Sequence, residues 1–240
     1  ALSSAASDVY KRQMTYRVVF SKVGNLQFFS HLDLQRTWQR VLVRASIPMW
    51  YTQGFNPHSK IVFGIPLSVG TEGTHEMVDL RIDRAITPDE MRDQLNAELT
   101  DEMQVSAVYI PTTAFSDIAY ATYTVTVSDP SAASVDADAV EALFAPGAAP
   151  ILMTKRTKSG DREMDILPLI REIHAAREAD GTLILHATLA AGGSANLSPE
   201  FLVAALREKL GMLMDTEHPD VCWYRILRTG FLCADGSEFR

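Results

Sequence analysis

The chain has 240 residues, of which 47% are hydrophobic and 22% charged, and this composition excludes a disordered protein. The net charge of −8 argues against indiscriminate nucleic-acid binding, because phosphate contacts need Lys and Arg. There are two cysteines, and no apolar stretch approaches the ~20 residues that cross a bilayer. We therefore expect a folded cytoplasmic protein without a membrane segment.

Residues 1–13 have neither an initiator Met nor a periodic pattern. We interpret them as a non-native leader and expect the natural chain to start at Met14. The rest of the sequence divides at a linker-like stretch, 111–117. The predicted domains are therefore 14–113 and 114–240.

The sequence of the first domain predicts the order strand, helix, strand, strand, helix, strand, which is typical of a ferredoxin-like unit. Ser30 and Thr87 are natural N-caps for the two helices, and Pro88 suits the first position of the second. β-Branched and aromatic residues predict the strands. The strands are expected at 16–22, 60–63, 77–82 and 105–110, with a strand-like segment at 50–52.

The first predicted helix has two different faces, and Pro48 ends it. Apolar residues at helical spacing predict a buried stripe. The stripe consists of Leu34, Trp38, Val41, Leu42 and Ala45. On the other side lie Arg36, Arg40 and Arg44. We also expect Phe28 and Phe29 to lie in the core.

After the linker, the same order of elements begins again. The expected strands are 120–127, 151–154, 182–189 and 221–227, with helices at 135–144 and after Ser198. A basic turn is expected at 155–160. We therefore predict an α+β protein of two tandem ferredoxin-like βαββαβ domains with antiparallel sheets, and a single larger α+β domain is the alternative.

Charge is distributed unevenly along the sequence. Residues 14–64 include six basic residues and one acidic residue, whereas residues 65–240 include 14 basic and 28 acidic residues. The first of these segments is therefore an electropositive island on an acidic protein.

The densest polar motifs are FFSHLDLQRTWQR at 28–40, TQGFNPHSK at 52–60, FGIPLSVGTEG at 63–73 and KRTKSGDREMDILPLI at 155–170. Through these strings the chain resembles the radical SAM-linked protein family, a family without an established activity that is encoded beside, or fused to, radical SAM proteins. The resemblance implies a radical SAM protein as partner. The chain has no cluster-binding cysteine motif of its own, so we expect no cofactor.

The basic island predicts a non-catalytic adaptor that binds a structured RNA, or another anionic substrate, for that partner. Arginine and lysine would contact phosphates, and the polar and aromatic residues of the TQGFNPHSK motif would hydrogen-bond or stack on exposed bases. The expected binding residues are Arg36, Arg40, Gln53, Phe55, Asn56, His58, Lys60, Lys155 and Lys158, with Lys22 and Arg44 beside them.

Several alternatives remain open. His31 and His58 could act as general acid and base on an RNA 2′-hydroxyl, which would make the protein a metal-independent RNA-processing enzyme. The chain could instead be a purely structural docking subunit, or the arginines a solvated helix face. A metal site would draw on His31, Asp33, His58, His75 and Glu76, but these lack an established ligand spacing, so we expect no metal.

Overall fold

The computed structural model describes residues 14–157, 160–193 and 195–240. The predicted α+β class is confirmed, with four α-helices and mostly antiparallel sheets in the described residues. The chain forms two compact units: unit 1 extends to Phe115 and includes Arg240, and unit 2 is Ser116–Phe239. None of the described helices is both long and apolar enough to cross a bilayer.

Unit 1 has a four-stranded antiparallel sheet in the order β4-β1-β3-β2. Its elements are β1 (Met14–Lys22), α1 (His31–Arg44), β2 (Ile61–Phe63), β3 (Thr71–Ile82), α2 (Pro88–Asn96) and β4 (Val105–Tyr109). The predicted strand at 50–52 is wrong, because the chain there makes only an isolated bridge between Tyr51 and Ser59. Pro48 before this segment and Gly54 and Pro57 after it favour a loop instead.

Both helices of unit 1 start where their caps predict. The Ser30 hydroxyl accepts a hydrogen bond from the Asp33 amide at 3.2 Å, and the Thr87 hydroxyl accepts one from the Glu90 amide at the same distance. Each bond satisfies an amide that has no partner within the helix. Pro88 occupies the first turn of α2, as predicted.

The predicted apolar stripe of α1 is buried against the sheet, which confirms the face assignment. Trp38 is fully buried, and its ring meets the Phe20 ring of β1 edge to face at 4.9 Å between centroids. The other stripe residues are also in this core: Leu34, Val41, Leu42 and Ala45. Phe28 is exposed, so its predicted core position is wrong, and Phe29 is half-buried.

Unit 2 has a four-stranded antiparallel sheet in the order β10-β5-β9-β8 and a separate two-stranded sheet, β6-β7. Its elements are β5 (Ile118–Ser128), α3 (Ala137–Phe144), β6 (Leu152–Thr157), β7 (Gly160–Asp165), β8 (Ile170–Arg177), β9 (Leu183–Ala190), α4 (Glu200–Leu210) and β10 (Trp223–Cys233). The buried faces of α3 and α4 consist of Val140, Phe144, Leu202, Val203, Ala205 and Leu206.

The second strand of this sheet is not the one that the sequence predicts. The segment expected at 151–154 belongs to the β6-β7 hairpin, and β8 pairs with β9 in its place. The sequence of β8 alternates weakly, because Arg171, Glu172 and His174 are exposed on an edge strand. Lys155 lies in β6 and Gly160 in β7, so the predicted basic turn at 155–160 is wrong at both ends, and residues 158 and 159 lie outside the described residues.

Candidate functional site

Two of the basic residues in the electropositive island are buried. Lys22 is 1% exposed, and its Nζ donates to the carbonyl oxygens of Gln27 at 3.2 Å and Thr71 at 3.3 Å. Its predicted place on a phosphate-binding surface is therefore wrong. Arg17 is also buried, and its guanidinium makes two hydrogen bonds to the Asp79 carboxylate, at 2.8 and 2.9 Å.

The arginine face of α1, defined by Arg36, Arg40 and Arg44, is exposed to solvent. Arg44 is paired, because its Nε donates to the Glu98 carboxylate at 3.0 Å and a terminal nitrogen donates to the Glu98 carbonyl at 3.2 Å. Arg36 lies 3.9 Å from an Asp33 oxygen, the limit of an ion pair. In the described part of the chain, Arg40 makes no ion pair or side-chain hydrogen bond. Positive charge on this face is thus only partly neutralised.

The same face forms a shallow surface depression of about 580 Å³. Gln39 and Val43 line it together with the three arginines, and Val43 is 68% exposed. The sequence analysis did not select Gln39 or Val43, although Gln39 follows Arg36 by three residues and Val43 follows Arg40 by three, a spacing that puts each pair on one side of the helix. The depression combines guanidinium donors, an amide and an apolar contact.

Asp33 retains its negative charge at the start of α1. The Ser30 hydroxyl donates to its carboxylate at 2.6 Å, and this hydrogen bond lowers the pKa of Asp33 below its usual value. The ionised carboxylate interacts favourably with the positive end of the helix dipole. At 3.9 Å it compensates the charge of Arg36 only weakly. Asp33 is therefore explained as a helix-start residue.

The loop of residues 52–60 closes on itself. The Thr52 amide donates to the His58 carbonyl at 3.0 Å, and the His58 amide donates to the Thr52 hydroxyl at 3.1 Å. The His58 Nδ1 lies 3.1 Å from the same hydroxyl. This closure braces a tip at which Gln53, Phe55 and Asn56 are exposed, and the Phe55 ring is fully open to solvent.

The remaining predicted binding residues are distributed over both units. Lys60 is exposed next to β2 in unit 1, and Lys155 is exposed on β6 in unit 2. Lys158 lies outside the described residues. Within the described residues, no hydrogen bond or ion pair connects the arginine face to the 52–60 loop.

His31 and His58 lie in different elements of unit 1, the first in α1 and the second in the 52–60 loop. His31 is the first residue of α1, and its ring lies 5.3 Å from the Phe63 ring, edge to face. In the described chain, His31 and His58 share no hydrogen bond. His75 and Glu76 lie on β3, and no group of three or more His, Cys, Asp or Glu side chains among the described residues is arranged to hold a metal ion.

The profile of a bacterial family, described as "Uncharacterized protein conserved in bacteria (DUF2344)", matches residues 15–199. The chain belongs to the DUF2344 family. The part that matches the DUF2344 profile includes the arginine face, the 52–60 loop and the β6-β7 hairpin. No curated protein matches the chain.

Two solved structures show distant similarity to this DUF2344 protein. The crystal structure of an unknown protein from Galdieria sulphuraria is 14% identical, with 89% of this chain and 96% of that protein covered and a TM-score of 0.27. DyPB from Rhodococcus jostii is 12% identical, with 82% of this chain and 83% of that protein covered and a TM-score of 0.20. Similarity at this level indicates neither a shared fold nor a shared activity.

Proposed function

We propose that this protein is a non-catalytic adaptor that binds a structured RNA through the arginine face of α1 and presents it to a radical SAM enzyme. The single observation that supports RNA binding is the incomplete neutralisation of Arg36 and Arg40 in an exposed depression. The radical SAM partner is supported by the resemblance of the polar motifs, and DUF2344 membership by itself assigns no activity.

Phosphate is the ligand chemistry that fits the arginine face best. A guanidinium has a rigid fork of donors that matches phosphate oxygens, and Arg36 and Arg40 are one helical turn apart on the same side. Gln39 adds an amide that can hydrogen-bond to a sugar or phosphate, and Val43 offers an apolar contact. Because the protein as a whole is acidic, we expect binding to be local to this face.

The 52–60 loop would add contacts to unpaired bases. Phe55 is fully exposed at the tip, and an exposed aromatic ring is a stacking platform for a base. Gln53, Asn56 and His58 can hydrogen-bond to base edges, and Lys60 can contact a phosphate. Structured RNA with an unpaired loop would supply both phosphates and accessible bases.

We further propose that each unit is a ferredoxin-like domain. When the β6-β7 hairpin is left out, the elements of both units follow the order βαββαβ along the chain. Within each main sheet, the strands lie in the order fourth, first, third, second. Antiparallel pairing between each pair of neighbours within a unit supports the same assignment.

The test is charge reversal of the arginine face in the full chain, with the double variant Arg36→Glu/Arg40→Glu. Binding of a short fluorescein-labelled RNA stem-loop should weaken, and the slope of log affinity against log salt should become shallower by about two, one for each lost phosphate contact. The matched control is Arg207→Glu/Lys209→Glu, which makes the same change of net charge on the exposed side of α4.

Unchanged affinity in the Arg36→Glu/Arg40→Glu variant would contradict the proposal and would indicate a solvated or protein-docking face. Single His31→Ala and His58→Ala variants distinguish the enzyme alternative. If the protein is an adaptor, each variant should retain most of its RNA affinity. If it is a nuclease, each variant should lose RNA cleavage and still bind RNA.

A further inference from the structure

The β6-β7 hairpin of unit 2 stands apart from the main sheet. In the described part of the chain, neither strand makes an extensive contact with another helix or strand. Its base is anchored, because Ile151, Met153 and Ile166 are buried and the Asp165 carboxylate accepts the Ile151 and Leu167 amides, each at 3.1 Å. Beyond that base, Thr154, Lys155 and residues 160–163 are exposed to solvent.

The two faces of the hairpin differ in charge. Along β7, the acids Asp161, Glu163 and Asp165 alternate with Arg162 and Met164, so the acids share one face and Arg162 lies on the other. Lys155 is the direct cross-strand partner of Arg162. Directly opposed residues of an antiparallel pair point to the same face, so this face has two neighbouring cations.

Among the described residues, no acidic side chain pairs with either of these two cations. In the described chain, neither Lys155 nor Arg162 makes an ion pair or a side-chain hydrogen bond. Like charges directly opposite each other destabilise a strand pair, and an isolated two-stranded hairpin is only marginally stable. We therefore expect the Lys155–Arg162 pair to weaken the hairpin, and an anion between the two side chains would relieve this repulsion.

We propose that the Lys155–Arg162 face of the hairpin binds phosphates of an RNA backbone. The ligand class follows from shape and charge, because the face is an open two-stranded ribbon that suits a long polyanion better than a small enclosed ion. The identity of the ligand as RNA rests on the proposed function. Arg162 is a binding residue that sequence analysis did not select, because only strand register opposes it to Lys155.

The test is Lys155→Glu in the full chain, which places a carboxylate opposite Arg162. With the labelled RNA stem-loop, affinity should fall by about five- to tenfold at about 0.1 M salt, and the salt slope should decrease by about one. Amide hydrogen exchange in β6 and β7 should slow in the free protein, because opposite charges now pair across the strands. A purely structural role would change the exchange and leave RNA affinity unaltered.

The matched control is Lys209→Glu, the same substitution on exposed α4, which should leave both readings unchanged. If Lys155→Glu leaves RNA affinity unchanged while Arg36→Glu/Arg40→Glu weakens it, the hairpin proposal is wrong and the proposed function stands. If Lys155→Glu weakens RNA binding and Arg36→Glu/Arg40→Glu does not, the hairpin proposal is supported and the proposed RNA binding by the arginine face is wrong. If the unmodified protein binds no RNA, both proposals are wrong. If Lys155→Glu loses co-purification with a radical SAM protein and keeps its RNA affinity, the assignment of RNA to the hairpin is wrong.

Discussion

Unit 1 forms its main sheet from consecutive strands, whereas unit 2 inserts the separate β6-β7 hairpin between α3 and β8. The two units nevertheless have the same strand order. In unit 2 the segment that joins the sheet is β8, because it pairs with β9, and being the first strand after α3 does not place β6 there. An insertion between a helix and the next strand leaves the sheet intact because no ladder passes through it.

The units also use buried charge in the same way, to fix a connecting segment. In unit 1, Arg17 pairs with Asp79, donates to Thr113 and stacks at 4.2 Å on the Phe115 ring. In unit 2, Asp129 is 5% exposed, and its carboxylate accepts the Leu213 amide at 2.5 Å and the Ser131 amide at 3.1 Å. These residues contrast with the exposed Arg36 and Arg40.

The largest effect should come from removing the buried cation of unit 1. Arg17→Ala leaves the Asp79 carboxylate without its guanidinium, and breaking such a buried pair costs about 3–5 kcal/mol of stability. Urea unfolding followed by tryptophan fluorescence measures the loss. Arg40→Ala is the control and should change stability by less than about 0.5 kcal/mol. Equal losses of unfolding free energy in the two variants would contradict the distinction between buried and exposed arginines.

Asp129→Ala should destabilise unit 2 by about 1–3 kcal/mol, because the Leu213 and Ser131 amides lose a charged acceptor. Burial would raise the pKa of Asp129, but the hydrogen bond from the Ser131 hydroxyl, at 2.6 Å, and those from the amides outweigh it and lower the pKa. The carboxylate therefore stabilises the fold above its unfolded pKa of about 3.9, and this contribution is lost as the pH falls through the folded pKa.

Thermal unfolding of wild type and Asp129→Ala across acidic pH checks this assignment. The two melting temperatures should be well separated near neutral pH and should converge below about pH 4, as the wild-type carboxyl group protonates. A constant separation over this range would mean that the charge of Asp129 does not stabilise unit 2.

A smaller difference should separate the helix starts of the two units. Ser30→Ala removes the hydroxyl that caps α1 and should cost about 1 kcal/mol. Helix α4 starts after Pro199 without a side-chain cap, so Ser198→Ala should cost only a few tenths of a kcal/mol, about the size of an ordinary surface substitution. Urea unfolding of both variants compares them, and a larger cost at Ser198 would contradict the capping assignment.

The sequence by itself determined the features that depend on near neighbours in the chain. Helix α1 was predictable because Ser30, Asp33 and Pro48 act within a few residues of its ends, and because the burial of Trp38 follows from helical spacing. The α+β class followed from the same local patterns, whereas the second strand of unit 2 did not, because the segment expected at 151–154 belongs to the β6-β7 hairpin. The exposure of Phe55 in a turn-forming loop was also a local property.

Only the tertiary structure decided which cations are available to a ligand. Arg17, Lys22 and Arg40 have the same formal charge in the sequence, yet the first two are buried among partners that lie five to 96 residues away, and only Arg40 faces solvent without an ion pair in the described chain. Likewise, the opposition of Lys155 to Arg162 depends on strand register. Burial depends on how the elements pack, and hairpin register depends on the turn between the strands, so the residue spacing within a single helix or strand specifies neither.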